Sequence, residues 1–231
     1  MKRIAIIPAR GGSKRIPNKN IKDFFGKPIL AYSIEAALGS GLYDEVMVST
    51  DCELIKDVAL KYGAEVPFLR TSINSNDFAT TFDVIEEVIK WYSQNSINFK
   101  EATCIYACAP FTTINLLKKS FQLLEKGCDC VFPVLPYSHP IQRAIEISLD
   151  GKVIPFFDSD DTARTQDFKK AYHDAGMFYT FDTAKLLINK SLRTKNTIAI
   201  EIDELSAHDI DNENDWKLAE LKYNLFFNEK I

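Results

Sequence analysis

The segment Ile4–Asn20, IAIIPARGGSKRIPNKN, decides how the rest of the sequence is interpreted. Its apolar start is typical of a fully buried strand, which ends at Pro8. From Arg10 to Lys19 the chain then carries two glycines, a serine and four basic residues. Glycine lets the backbone approach a ligand closely, and basic side chains attract anions. The sequence therefore predicts an anion-binding loop directly after a buried strand.

Strand-like and helix-like periodicities alternate through the rest of the chain. We predict strands at residues 4–8, 46–49, 65–69, 102–106, 130–134, 177–181 and 197–202. We predict helices at residues 28–39, 53–62, 80–92, 115–125 and from about 212 onward, with Pro28 at a first helical position and Gly63 as a stop. This alternation indicates an α/β fold, with a mostly parallel sheet and helices on both faces. Ligands bind such sheets beyond the carboxyl ends of the strands, where the basic loop lies.

The alternation stops between Tyr137 and Thr165. The turn sequence LDGKV at 149–153 separates two short extended stretches, so we predict a hairpin there. No repeat, low-complexity tract or linker divides the chain. We therefore expect one domain over residues 1–231 with an insertion at about 137–165.

Charge is distributed unevenly along the 231 residues. The net charge is −4, but residues 1–27 carry +7 and the remainder carries −11. A nucleic-acid-binding protein would spread basic charge over a whole face, so we expect no nucleic-acid partner. A basic loop on an otherwise acidic chain indicates a focused anion site instead.

The five cysteines do not form the paired CxxC or histidine-rich patterns of zinc sites. Their odd number is typical of buried free thiols in an intracellular protein. No apolar run reaches the length of a bilayer span, and the run at 4–9 is too short for a signal peptide. We expect a cytoplasmic protein with no membrane partner.

The residues of the basic loop suit a triphosphate. Ser13 offers a hydroxyl donor, and arginines such as Arg10 and Arg15 can grip phosphate oxygens bidentately. The spacing fits neither the Walker A loop nor the GxGxxG fingerprint. A solvated basic loop is the alternative interpretation.

Two aspartates near the carboxyl end are candidate metal ligands. If the segment Asp209–Asp211 is extended, both carboxylates point to one side, roughly 6.5–7 Å apart along the backbone. Magnesium prefers one or two carboxylates together with substrate phosphates. The alternative for Asp211 is an N-cap of the last predicted helix.

Several motifs resemble those of the cytidylyltransferases that activate sialic acids and related nonulosonic acids. The motifs are IPARGGSKRIPNKNI at 7–21, VSTDCELI at 48–55, VPFLR at 66–70, DFATTFDVI at 77–85 and DIDNENDWKLAE at 209–220. The stretch ARTQDFKKAYHDAGMFY at 163–179 is most similar to the pseudaminic acid branch. The resemblance extends over nearly the whole chain.

The resemblance implies a Rossmann-like nucleotidyltransferase fold whose small hairpin insertion serves dimerisation. It implies an enzyme that transfers CMP from CTP to the anomeric hydroxyl of a nonulosonic acid and releases pyrophosphate. It also implies a homodimer that uses Mg²⁺. The sugar hydroxyl is then the nucleophile, so no Ser–His–Asp or Cys–His arrangement is required.

The same resemblance assigns roles to residues at matching motif positions. The residues expected to hold the nucleotide are Ala9, Arg10, Gly12, Ser13, Arg15, Asn20, Arg70, Thr80 and Thr81. The residues expected at the reacting phosphates and the metal are Lys19, Arg15, Asp209 and Asp211. The residues expected near the sugar are Arg164, Gln166, Tyr172, His173 and Tyr179, with Arg164 on the sugar carboxylate. The alternatives are a solvated loop arginine, a structural histidine and tyrosines that belong to the core.

Two motifs depart from the sialic acid pattern, and the second of them changes the sugar pocket and argues against sialic acid itself. The residues 106–110 read YACAP where sialic acid enzymes usually show Gln-Pro-Thr-Ser-Pro, and Ala175–Gly176 replaces an Asn-Gly pair. Sialic acid, legionaminic acid and, more distantly, Kdo remain alternative substrates. A non-catalytic nucleotide-binding regulatory protein is an alternative of another class, and the presence of Lys19 and both aspartates argues against it.

Overall fold

A computed structural model describes residues 2–157 and 164–228. The strands in that part of the chain are β1 (Arg3–Pro8), β2 (Asp23–Phe24), β3 (Lys27–Pro28), β4 (Glu45–Ser49), β5 (Glu101–Ile105), β6 (Cys130–Pro136), β7 (Ile145–Ile147), β8 (Val153–Pro155), β9 (Tyr172–Asp174), β10 (Phe178–Asp182) and β11 (Thr197–Glu201). The helices are α1 (Ile29–Ser40), α2 (Glu53–Lys61), α3 (Thr81–Gln94), α4 (Ile114–Leu124), α5 (Thr183–Asn189) and α6 (Glu213–Tyr223).

The central sheet has the order β11-β6-β10-β5-β1-β4, and β9 pairs with β6. β1 is parallel to both of its neighbours, β4 and β5, and β6 is parallel to β11. β10 runs antiparallel between β5 and β6. The predicted α/β class with a mostly parallel sheet is confirmed, and the antiparallel β10 is an addition that periodicity did not reveal.

Alternating residues of β1 pack into two different apolar layers. Ile4 and Ile6 lie with residues of α3, whereas Ala5 and Ile7 lie with residues of α1 and α6. Successive side chains of a strand point to opposite faces, so this division shows that helices cover both faces of the sheet. A strand buried on both faces is continuously apolar, as the sequence of β1 is.

Two predicted elements differ from the structure. The predicted strand at 65–69 is reduced to a single bridge between Glu65 and Met47, because Pro67 has no N–H with which to continue a ladder. Pro28 ends β3 and precedes α1 rather than occupying its first turn. The predicted hairpin is present as the antiparallel pair β7–β8. Residues 158–163 of the predicted insertion lie outside the described residues.

The topology brings the loops after β1, β4 and β5 to one edge of the sheet, since these three strands are adjacent and parallel. Gly11, after β1, packs so closely on the loop after β4 that a Cβ there would lie 2.9 Å from Cβ of Cys52. A larger residue would force the two loops apart. Within the described residues, no helix combines the length and apolarity needed to cross a membrane.

Candidate active site

A cavity of about 220 Å³ opens at the carboxyl end of β1. Three segments line it: the basic loop (residues 9–20), the segment 106–108 after β5, and the segment 209–211 before α6. The basic loop therefore lies at the strand end where the sequence placed it. The lining residues that carry charge are Arg10, Lys14, Arg15, Lys19, Asp209 and Asp211.

Polar contacts fix the path of the basic loop. Asn18 adopts a left-handed conformation with φ of 53°, which turns the chain into the short 3₁₀ helix Lys19–Ile21. Asn20 is buried there, and its Nδ2 donates to the carbonyl oxygen of Arg10 at 2.8 Å. The N–H of Gly11 donates to Oδ1 of Asp51 at 2.8 Å. The loop is thus closed on itself by Asn20 and anchored near its start by Asp51, which is distant in sequence.

Asp77 binds two of the loop cations. Its Oδ1 lies 2.8 Å from a guanidinium nitrogen of Arg10, and its Oδ2 lies 2.5 Å from Nζ of Lys14. Hydrogen bonds from Lys14 and then from Arg10 hold the pKa of Asp77 below its usual value. Asp77 therefore stays ionised and keeps both cations at the cavity.

The other two cations reach the segment 209–211. Arg15 forms an ion pair of 2.9 Å with Asp211, and Nζ of Lys19 donates to the carbonyl oxygen of Ile210 at 2.7 Å. The carbonyl partner of Lys19 carries no formal charge. Lys19 is only partly exposed, so its ammonium is a strong local source of positive potential.

Asp209 lines the cavity and lies close to Gly176. Desolvation of its carboxyl and the charge of Asp211 raise its pKa, whereas Lys19 lowers it. Gly176 has φ of +66°, and a Cβ there would lie 3.0 Å from Cγ of Asp209. Glycine is therefore required both for the backbone conformation and for the space that the carboxylate takes.

The alternative assignment of Asp211 as an N-cap is wrong. Asn212 caps α6, accepting from the N–H groups of Asn214 and Asp215. The carboxylate of Asp215 in return accepts from the N–H groups of Asn212 and Asp211. The side chain of Asp211 is left facing the cavity and Arg15.

A second chamber of about 270 Å³ adjoins the first and shares Pro8 and Arg10 with it. Arg70, Thr80 and Thr81 also line it. Arg70 is buried, and its guanidinium donates to Oγ of Ser49 at 3.0 Å and to the carbonyl of that residue. Burial lowers the pKa of Arg70.

Some of the residues predicted to bind the nucleotide form hydrogen bonds within the protein itself. The hydroxyl of Thr80 forms a capping box with Asp83 at the start of α3. Ala9 is fully buried, and its N–H donates to the carbonyl of Ser49 at 2.9 Å. Gly12 is exposed and Ser13 lines the first chamber. Seven of the nine predicted nucleotide residues thus line the two adjoining chambers, whereas Ala9 and Gly12 are not among their lining residues.

The predicted sugar residues lie elsewhere. Arg164 and Gln166 are exposed at the 3₁₀ turn Thr165–Asp167. Tyr172 and His173 are exposed on β9, and Tyr179 is buried in β10. None of the five is among the residues that line the two described chambers. Their roles at the sugar stay predictions.

Sequence reasoning did not single out Tyr106 or Asp174. Tyr106 lines the first chamber, and its ring centroid lies 6.0 Å from that of Tyr179. The hydroxyl of Tyr179 donates to Asp174, which also accepts from the N–H of Gly176 at 2.9 Å and pairs with Arg193 at 3.2 Å. No spacing pattern links these residues, because the antiparallel β10 brings them together.

The chemistry available in this cavity is electrostatic. Four cations and two carboxylates surround it, and the described lining holds no serine or cysteine activated by a histidine. Such a site can bind and neutralise a polyphosphate and position an external nucleophile. A family model for cytidylyltransferases matches residues 4–217, which include every lining residue.

The chain belongs to the cytidylyltransferase family. It is 41% identical over 226 residues to the pseudaminic acid cytidylyltransferase of Campylobacter jejuni subsp. jejuni serotype O:23/36, covering 96% of this chain and 97% of that protein. It is 33% identical to the CMP-N,N'-diacetyllegionaminic acid synthase of Legionella pneumophila, covering 95% of each chain.

A solved structure supports the fold of this cytidylyltransferase. A CMP:2-keto-3-deoxy-manno-octonic acid synthetase in complex with CTP superposes with a TM-score of 0.68 at 16% identity, covering 97% of this chain and 98% of that one. The predicted Rossmann-like nucleotidyltransferase fold is therefore confirmed.

Proposed function

We propose that this cytidylyltransferase transfers CMP from CTP to the anomeric hydroxyl of pseudaminic acid and releases pyrophosphate. The observation that carries the proposal is the joining of Arg15 and Lys19 with Asp209 and Asp211 in one cavity at the end of β1. The 41% identity to a pseudaminic acid cytidylyltransferase supports this sugar, since the legionaminic acid relative is 33% identical.

The residues of the chain suit the electrostatic demands of this transfer. The triphosphate would lie in the first chamber, with Ser13 and the cations Arg15 and Lys19 on its oxygens. The nucleoside would lie toward Arg70 and Thr81 in the second chamber. Arg10 borders both chambers and would hold the junction between them. Fixed cations stabilise the charge that develops on the departing pyrophosphate.

Magnesium fits the carboxylates present. Asp209 and Asp211 would supply oxygen ligands of the kind that this ion prefers, and phosphate oxygens and water would have to supply the others. Within residues 2–157 and 164–228, no group of three or more acidic, histidine or cysteine side chains is placed so that it could hold a metal ion, so a metal here would need substrate oxygens. Bound magnesium would neutralise phosphate charge.

The active form in this proposal is a homodimer formed through the β7–β8 hairpin. Cross-strand partners share a face, and one face of the hairpin carries Ile145, Ile147, Val153 and Pro155. Each of these residues is exposed. A contiguous apolar face on an exposed hairpin is typical of a surface that packs against another protein surface, here proposed to be a second copy of the chain.

The compartment proposed is the cytoplasm. All five cysteines are free thiols, three of them buried. Reduced thiols persist in the cytoplasm, where disulfides rarely form.

Incubation of the protein with CTP, Mg²⁺ and each nonulosonic acid in turn tests the proposal. We expect pyrophosphate release and a CMP-sugar of the matching mass with pseudaminic acid, and slower reaction with legionaminic and sialic acids. Faster pyrophosphate release with either of those acids would identify that acid, rather than pseudaminic acid, as the substrate. Absence of release with the whole panel would contradict the proposed reaction.

A further inference from the structure

A cysteine lies in the nucleotide cavity although the proposed chemistry uses no thiol. Cys108 follows β5 and lines the first chamber. Its Sγ donates to Oδ1 of Asn20 at 3.2 Å. The neighbouring order of β5 and β1 explains the contact, because the loops that follow adjacent parallel strands meet at one edge.

Both polar atoms of the Asn20 side-chain amide, Nδ2 and Oδ1, form hydrogen bonds. Nδ2 donates to the carbonyl oxygen of Arg10, which fixes the amide orientation and leaves Oδ1 facing Cys108. Asn20 is buried, so an Oδ1 without a donor would be costly. The thiol supplies that donor.

The state of the thiol agrees with this role. Burial raises the pKa of Cys108 to about 12, with opposing effects from Lys19 and Asp209. Cys108 therefore keeps its proton at neutral pH and can donate it in a hydrogen bond. A thiolate would place negative charge against the oxygen of Asn20.

We infer that Cys108 is a positioning residue for CTP, acting through Asn20 on the main chain of Arg10. The inference rests on the proposed function for the identity of the nucleotide. Arg10 borders both chambers, so a shift of its carbonyl displaces the residue that joins them. The Cys108–Asn20–Arg10 chain links the end of β5 to the basic loop.

Steady-state kinetics and direct titration of CTP on Cys108→Ala, Cys108→Ser and wild type test this inference. Cys108→Ala removes the donor, and we expect KM and Kd for CTP to rise about two- to tenfold, with kcat changing less. Cys108→Ser keeps a donor and should recover most of the affinity. Cys104→Ala is the matched control, because Cys104 is a fully buried thiol of β5 that packs in the core. This control should lower the melting temperature and leave the Kd for CTP unchanged.

A double-mutant cycle separates action through Asn20 from a direct effect. If Cys108 acts through Asn20, adding Cys108→Ala to Asn20→Ala should cause no further loss of affinity for CTP. Additive losses, or equal affinity of Cys108→Ala and wild type, would overturn the inference. Because titration needs no sugar, these outcomes are distinct from failure of the proposed reaction. A wild type that does not bind CTP would overturn both.

Discussion

The basic loop and the β7–β8 hairpin both lie outside the central sheet, but their side chains have opposite environments. In the basic loop, Arg10, Lys14 and Arg15 each have an acidic partner, and Lys19 has a carbonyl partner. In the hairpin, large apolar side chains are exposed, and Leu149 at its turn is fully exposed.

This difference indicates what each region binds. Paired charges around a concave cavity are held in position for an anionic ligand, and preorganised charge is the main source of catalysis in transfer of phosphoryl-type groups. Exposed apolar side chains on the hairpin are stabilised only when another surface covers them and removes them from water. We therefore propose CTP as the ligand of the cavity and a second copy of the chain as the partner of the hairpin.

The largest expected effect is that of Lys19→Ala. Loss of an ammonium at the reacting phosphates should lower kcat/KM on the order of 10²–10³-fold, with little change in melting temperature. Lys56→Ala is a matched control, since Lys56 lies on α2 and pairs with Glu53. Arg15→Ala should also lose activity severely. Near-wild-type kcat/KM for CTP in both variants would mean that the loop is only a solvated basic surface.

Asp209→Asn tests the metal assignment in the same cavity. The variant keeps the shape of the side chain but loses its charge. The magnesium concentration that gives half-maximal pyrophosphate release should therefore rise roughly 10–100-fold. Asp211→Asn should shift in the same direction, and it also breaks the ion pair with Arg15. Magnesium titrations of pyrophosphate release, beside thermal melts, provide the comparison. Unchanged magnesium dependence in both variants would remove the two carboxylates from the metal site.

Ile147→Glu tests the hairpin. A charge on its apolar face should raise the dimer dissociation constant about tenfold or more, because the charge would be buried on association. Light scattering over a concentration series measures this change. Glu146→Gln, at the next position on the opposite face, should leave association unaltered. A dimer of Ile147→Glu as tight as wild type would assign the association to another surface.

Thr80→Ala has the smallest expected effect. Loss of the cap of α3 should cost about 1 kcal/mol of unfolding free energy and lower the melting temperature by about 2–4 °C. Thr80→Ser retains the capping hydroxyl and should melt close to wild type. A stable Thr80→Ala protein with weakened CTP binding would instead make Thr80 a nucleotide contact.

Sequence reasoning worked where local pattern and topology coincide. The apolar run of β1 and the glycine-bearing loop after it placed the cavity correctly, since parallel strands bring their carboxyl ends to one edge. Sequence reasoning was less effective where pairing between strands distant in sequence determines which residues meet. Nothing local marks β10 as antiparallel, so the contact between Asp174 and Tyr179 and the position of Tyr106 were not foreseen. Capping was a reasonable alternative for Asp211 because aspartate and asparagine are both good caps, and only the structure shows that Asn212 takes this role.

Titration of wild-type protein with cytidine, CMP, CDP and CTP tests the central claim most directly, namely that the cations of the cavity bind the triphosphate. We expect affinity to rise with each added phosphate in wild type, and the gain from CMP to CTP to be much smaller in Lys19→Ala. The gain should also fall as salt is added, because added ions screen the exposed phosphate contacts. Equal affinity for cytidine and CTP, or an unchanged phosphate gain in Lys19→Ala, would contradict the account.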